Sequence, residues 1–276
     1  MKHTDCVGQI SDQLHKSKFI DIYFISAVSL FGLLLSLIYS INGSNFIPDK
    51  CIASGLCFCE SSGSSVLKQP VNTLSNLSFN IMGPLLAFYY HYRKRIEKRQ
   101  TAMPSAFHML YLCLYTLTGT ASFVFHATLS KAGGALDIII MNAFAVFVLM
   151  YSLREMIQIK KIVFFICFMM LFSVMSAVKL IYDMYDLEIF AAVLSAGLLM
   201  EIVILYRTKF SAGKSFFSGI GLFLVSFIFW FLSRKESDIL CMPDSILQPH
   251  ALWHVLNSLS MAFLYFHYLA VPGKRI

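Results

Sequence analysis

Eight long apolar stretches set what this chain can fold into. They run from about Phe19 to Ile41, Val71 to Tyr92, Met103 to Phe125, Ala135 to Leu153, Ile162 to Tyr182, Ile189 to Tyr206, Phe216 to Leu232 and His250 to Leu269. A helix that crosses a hydrocarbon core about 30 Å thick needs about 20 mostly apolar residues, and each stretch approaches that length. The apolar residues are continuous rather than alternating, which marks helices and not the strands of a membrane barrel. Only 13% of the residues are charged, against roughly 25% in a soluble domain. That scarcity excludes a disordered chain, a nucleic-acid-binding domain and an ordinary soluble enzyme. The expectation is an all-α, polytopic membrane helix bundle of eight spans. The first stretch is too long for the apolar part of a signal peptide, and no small-x-small cleavage site follows it.

The net charge of +7 would ordinarily suggest an acidic partner. Here it reads as an orientation signal, because Lys and Arg collect in cytoplasmic loops. With the N-terminus inside, the inner segments hold Lys2, Lys16, Lys18, Arg93, Lys94, Arg95, Lys98, Arg99, Arg154, Lys160, Lys161, Arg207, Lys209, Lys214, Lys274 and Arg275, which is 16 of the 22 basic residues. The expectation is an N-in, C-in protein whose basic charge calls for no nucleic acid. No protein partner is indicated. Most connections are short. The exception is the outer loop from Asn42 to Pro70, rich in Ser, Gly and Cys, which separates the first span from the other seven.

Ionisable groups in a bilayer are costly, so each raises a functional question. On this topology four gather at one outer level. His126 ends the third span, Asp137 begins the fourth, and His250 and His254 lie in the first turns of the eighth. His250 and His254 are related as i and i+4, so both imidazoles leave one helix face, a spacing that chelates one metal in helical zinc motifs. Ser122 and His126 share a face for the same reason. The short link from Thr128 to Gly134 brings Asp137 back toward His126. Three histidines with one open position form the catalytic arrangement of zinc, in which bound water ionises near pH 7. Two other readings stand beside this one: a solvated interfacial pair of histidines, and a Ser122 hydroxyl bonded to its own helix backbone.

The remaining polar residues read as structural. His108 and His267 lack partners at chelating spacing, so packing roles are expected. Glu201, inside the sixth span, is expected to be paired or to snorkel, and Lys179, near an outer helix end, to snorkel.

At these residues the sequence resembles the alkaline ceramidase family, within the CREST group of membrane hydrolases. Four stretches carry the resemblance, in order and at the family's spacing: Pro70-Val71-Asn72-Thr73-Leu74-Ser75-Asn76, Ser122-Phe123-Val124-Phe125-His126, Asp137 eleven residues later, and His250-Ala251-Leu252-Trp253-His254. The resemblance runs from about Cys57 to the end and leaves out the first span. It implies a division into residues 1–45, an N-terminal cytoplasmic segment with an extra transmembrane helix; residues 46–70, an extracytoplasmic Cys-rich loop; and residues 71–276, a seven-helix ceramidase-like core. It implies that His126, His250 and His254 hold zinc. Asp137 would deprotonate a metal-bound water, and Ser122 would stabilise the oxyanion. The activity implied is hydrolysis of the N-acyl amide of a ceramide-like membrane lipid, giving a fatty acid and a sphingoid base. The alternatives are a hydrolase of another acyl lipid and a non-catalytic, receptor-like lipid-binding protein.

The chain also departs from the family. Ceramidase-type members carry a calcium site before the first core helix. Here Glu60 matches an acidic ligand position, while Cys57, Ser62 and Gln69 stand where Asp, Asn and Glu are expected. Calcium prefers six to eight oxygens, several of them carboxylate, so one carboxylate argues against that ion. A disulfide from Cys59 or Cys57 to Cys241 would staple this loop to the start of the eighth span instead.

Overall fold

The structure, a computed structural model, describes residues 20–42, 46–54, 58–63, 66–95, 101–182, 186–210, 213–234 and 241–270. Cys57 and several of the basic residues used for orientation (Lys2, Lys16, Lys18, Lys98, Arg99, Lys274 and Arg275) lie outside them. The elements in order are α1 (Ile20–Ile41), α2 (Lys50–Ser54), α3 (Pro70–Ser75), α4 (Leu77–Arg95), α5 (Ser105–Thr128), α6 (Lys131–Ile157), α7 (Lys161–Tyr182), α8 (Asp186–Arg207), α9 (Gly213–Leu232) and α10 (Pro249–Ala270). The protein is a membrane-embedded helical bundle.

Six of the eight expected spans, α1 and α5 to α9, are long and apolar enough to cross a bilayer by length and composition. α4 and α10 are long enough, with 19 and 22 residues, but too polar to meet that measure. Their polar residues explain why. Asn80 and His91 on α4, and His250, His254, Ser258, Ser260 and His267 on α10, are all buried. Lipid gives no polar partner to a side chain, so polar groups are spent on neighbouring helices instead.

The same rule orders the bundle. α5 is the least apolar of the six spans, yet 78% of its apolar window is buried, against 17% for α7 and for α9. α5 lies at the centre and packs against α1, α3, α4, α6 and α10. Close approach needs small residues. A Cβ on Gly119 of α5 would stand 2.5 Å from Phe79 Cβ and 2.8 Å from the Asn76 carbonyl oxygen. A Cβ on Gly197 of α8 would stand 2.8 Å from the Leu149 backbone nitrogen of α6.

α1 docks on α4 and α5 through a narrow buried stripe of Ile25, Ser29, Ser36 and Ser40. The Ser29 hydroxyl donates to the Asn80 carbonyl and side-chain oxygens, each at 3.1 Å. Asp21 lies 3.5 Å from His108, whose other nitrogen meets the Tyr265 hydroxyl at 2.7 Å. Near the same end of the bundle, Glu201 is paired as expected: Ser152 donates to it at 2.6 Å and His267 meets it at 3.0 Å. Lys179 differs from expectation. It is 7% exposed rather than snorkelling, because packing of α7 turns it onto a cavity wall.

The loop segments close the other end. α5 stops at Leu129, which adopts a left-handed φ of 46°. Ser130 then caps α6 by accepting from the Gly133 amide at 3.0 Å. The carbonyls that end α5 have no partner within the helix. Two are met from outside: the Lys68 amide donates to Ala127 O at 2.9 Å and the Gln69 amide to His126 O at 3.1 Å. The loop is thereby seated on the helix end that carries His126.

Candidate metal centre

α5 and α10 bring three imidazoles together. His126, His250 and His254 are 1–3% exposed, and their candidate ligand nitrogens all lie within 4.8 Å of one another. His126 Nε2 and His250 Nε2 are 3.2 Å apart. Two nitrogens bound tetrahedrally at 2.0–2.1 Å stand about 3.3 Å apart, so this spacing suits a metal held between them.

The protonation of the rings follows from their other partners. His126 Nδ1 faces Gln69 Oε1 at 2.8 Å, an oxygen that only accepts. His250 Nδ1 faces Ser233 Oγ at 3.2 Å, and that hydroxyl already donates to Trp230 O. His254 Nδ1 faces Ser75 Oγ at 2.7 Å, and that hydroxyl already donates to Asn72 O. In each case the hydrogen of the imidazole belongs on Nδ1. The three Nε2 lone pairs therefore turn toward one another, which suits a shared cation. Outer partners of this kind orient metal-binding histidines and raise their basicity.

Ser122 joins the cluster, its Oγ 3.4 Å from His254 Nε2. Asp137 is not one of the three clustered ligands. It lies on the wall of a cavity of about 310 Å³ that also exposes Ser122, His250 and His254. Such a volume is in the range of small-molecule sites. The wall continues through Asn257, Trp230 and Trp253, and carries Asp49, Lys50 and Lys179. A smaller, mostly apolar cavity of about 40 Å³ adjoins it and shares Thr118, Met141, Phe190 and Asn257.

The Cys-rich loop covers the centre. Cys59 is bonded to Cys241, with their Cα atoms 5.3 Å apart, which selects Cys59 from the two expected partners. Cys51 is also disulfide-bonded. Phe58 stacks on His250 at a centroid distance of 3.4 Å. The Glu60 carboxylate accepts from the Val71 and Asn72 amides at 2.7 and 2.8 Å, so it caps the start of α3. Burial pushes this carboxyl above the usual range, and the two amide bonds pull it partly back. A calcium ion does not fit this donor set. Both Glu60 oxygens are engaged by backbone amides, Gln69 is committed to His126 and to Glu60 O, and Ser61 Oγ donates to Asp244 at 2.8 Å.

Several partners escape sequence reasoning. Ser75 stands inside a motif stretch without a readable role, and Gln69 reads as a lost calcium ligand. Ser233 follows the seventh span with no pattern to mark it. Only their meeting with three separate imidazoles reveals what they do.

No curated protein matches the chain. The Ceramidase family model matches residues 52–273 and so takes in the three histidines, Ser122 and Asp137, leaving α1 outside. On that match, which covers well over half its length, the chain belongs to the ceramidase family.

Proposed function

We propose that the protein is a zinc-dependent intramembrane hydrolase that cleaves the N-acyl amide bond of ceramide or a ceramide-like lipid. The observation that carries this reading is the convergence of three Nε2 lone pairs beside Ser122, on a cavity that also exposes Asp137. His126, His250 and His254 would hold the zinc, which when bound supplies a Lewis acid for the carbonyl and lowers the pKa of a water. The chain's own groups account for the protons and the developing charge. Asp137 takes a proton from the attacking water and returns one to the departing amine as the C–N bond breaks. The Ser122 hydroxyl donates to the oxygen that gains negative charge. The adjoining apolar cavity and the tryptophans of the wall give the lipid a dry place beside the reacting carbonyl.

A second substrate reading has its own support. Asp49, Lys50 and Lys179 make the cavity wall charged, which suits an acyl lipid whose head group carries charge. On orientation, the asymmetry of 16 basic residues supports N- and C-termini in the cytoplasm and a site toward the extracytoplasmic side.

The test is direct. Protein purified in detergent should contain zinc by elemental analysis and release fatty acid from labelled ceramide, and His254→Ala should lose both. Metal-free protein, or release unchanged in His254→Ala, refutes the catalytic reading. Running ceramide against acyl lipids with charged head groups decides between the two substrate readings.

A further inference from the structure

Gln69 makes more contacts to the centre than its position in a loop would suggest. It is 1% exposed. Its backbone amide donates to His126 O at 3.1 Å and its side-chain oxygen accepts from His126 Nδ1 at 2.8 Å. One loop residue therefore holds both the main chain and the ring of one histidine. Its amide nitrogen faces the other way and donates to Glu60 O at 3.0 Å.

Glu60 is itself fixed on both sides. Its carboxylate caps α3 through Val71 and Asn72, and the residue before it, Cys59, is bonded to Cys241. Cys59 N also donates to Ser233 O at 2.8 Å, and Ser61 N to Pro243 O at 3.0 Å. A covalent staple between two distant segments thus ends one residue from the carbonyl that anchors Gln69, and Gln69 ends on His126.

We propose that Gln69 is a positioning residue that couples the Cys59–Cys241 staple to the His126 imidazole, and so sets how tightly the three histidines hold a metal. This rests on the zinc reading above. Glutamine suits the task because its amide has a donor at one corner and an acceptor at the other. A hydrocarbon side chain would do neither. A glutamate would keep the acceptor for His126 Nδ1 and lose the donor to Glu60 O, which separates the two halves of the link.

The experiment measures zinc affinity by competition with a chelator in detergent-purified protein, independently of turnover. Gln69→Leu should weaken zinc binding by about 10- to 100-fold, the usual effect of losing an outer partner of a ligand, whereas Gln69→Glu, which keeps the acceptor for His126 and cuts only the link to Glu60 O, should lose zinc affinity only as far as the Cys59→Ser/Cys241→Ser variant does. The double variant Cys59→Ser/Cys241→Ser should lower zinc affinity in the wild-type background. It should have little further effect in Gln69→Leu or Gln69→Glu, where the link is already cut. Should Gln69→Leu fail to fold, the Gln69→Glu background carries the same comparison. Wild-type affinity in Gln69→Leu, or disulfide and Gln69 losses that simply add, would overturn the coupling. Wild-type protein without zinc would overturn the zinc reading itself, which keeps the two failures distinct.

Discussion

Removing the Ser75 hydroxyl should loosen the metal without disturbing the bundle. Ser75 Oγ accepts from His254 Nδ1 at 2.7 Å and donates to Asn72 O at 2.7 Å. In Ser75→Ala the imidazole N–H stays buried at a residue that is 3% exposed, with no acceptor in its place. Leaving a buried donor unsatisfied costs about 1–3 kcal/mol. The ring can escape that cost by rotating or changing tautomer, but either move turns Nε2 away from the shared centre or removes its lone pair. The penalty therefore falls on the metal-bound arrangement. At about 1.4 kcal/mol per tenfold, zinc affinity should drop about 5- to 150-fold. Chelator competition reads that change directly, and fatty-acid release at saturating zinc reads how much activity returns. Ser75→Thr, which keeps the hydroxyl, should lie close to wild type. If Ser75→Ala binds zinc as wild type does, the hydroxyl does not orient His254 and the assignment of its hydrogen to Nδ1 fails.

Three further outcomes are expected. Gly119→Val forces atoms into a gap where even a Cβ stands 2.5 Å from Phe79 Cβ, so overpacking should cost about 1–3 kcal/mol, seen as a lower melting temperature in detergent. Glu201→Leu removes the carboxylate that meets the buried His267 at 3.0 Å and Ser152 at 2.6 Å and should cost about 1–3 kcal/mol; in Glu201→Leu/His267→Leu much of that loss should return, and a double variant as weak as the single one would contradict the pairing. Burial raises the Glu60 carboxyl above its ordinary value, so the stability it contributes is full below its unfolded pKa and falls as pH rises through the folded one. Glu60→Gln should therefore flatten the part of the melting-temperature profile that falls as pH rises above the ordinary Glu value of about 4.3, and a profile parallel to wild type would refute that sign.

The fold and the centre were legible to different depths. Continuous apolar runs announced the spans, and α4 and α10 could be recognised by length although their inward polar residues dilute them. His250 and His254 were legible because one helical repeat places both on one face. Ser122 and His126 followed by the same rule. Lys179 was misread because whether a lysine near a helix end snorkels depends on which way packing turns it. Gln69, Ser75 and Ser233 were invisible as positioning groups because each serves an imidazole on a distant segment. The choice of Cys59 over Cys57 depends on which residue of the loop faces Cys241, and that follows from the Cys59–Ser233 backbone bond, which no local pattern encodes.

The long separations in the centre bear on how the protein is made. His126 enters with α5, but its neighbour His250 follows 124 residues later, roughly 6–25 s at ordinary synthesis rates. Cys59 waits still longer, 182 residues, for Cys241. Throughout that interval the nascent chain carries one of the three imidazoles and only one end of the Cys59–Cys241 staple. On the proposed zinc reading, hydrolytic competence would arrive in one step with α10, and a chain that ends before α10 would lack two of the three histidines.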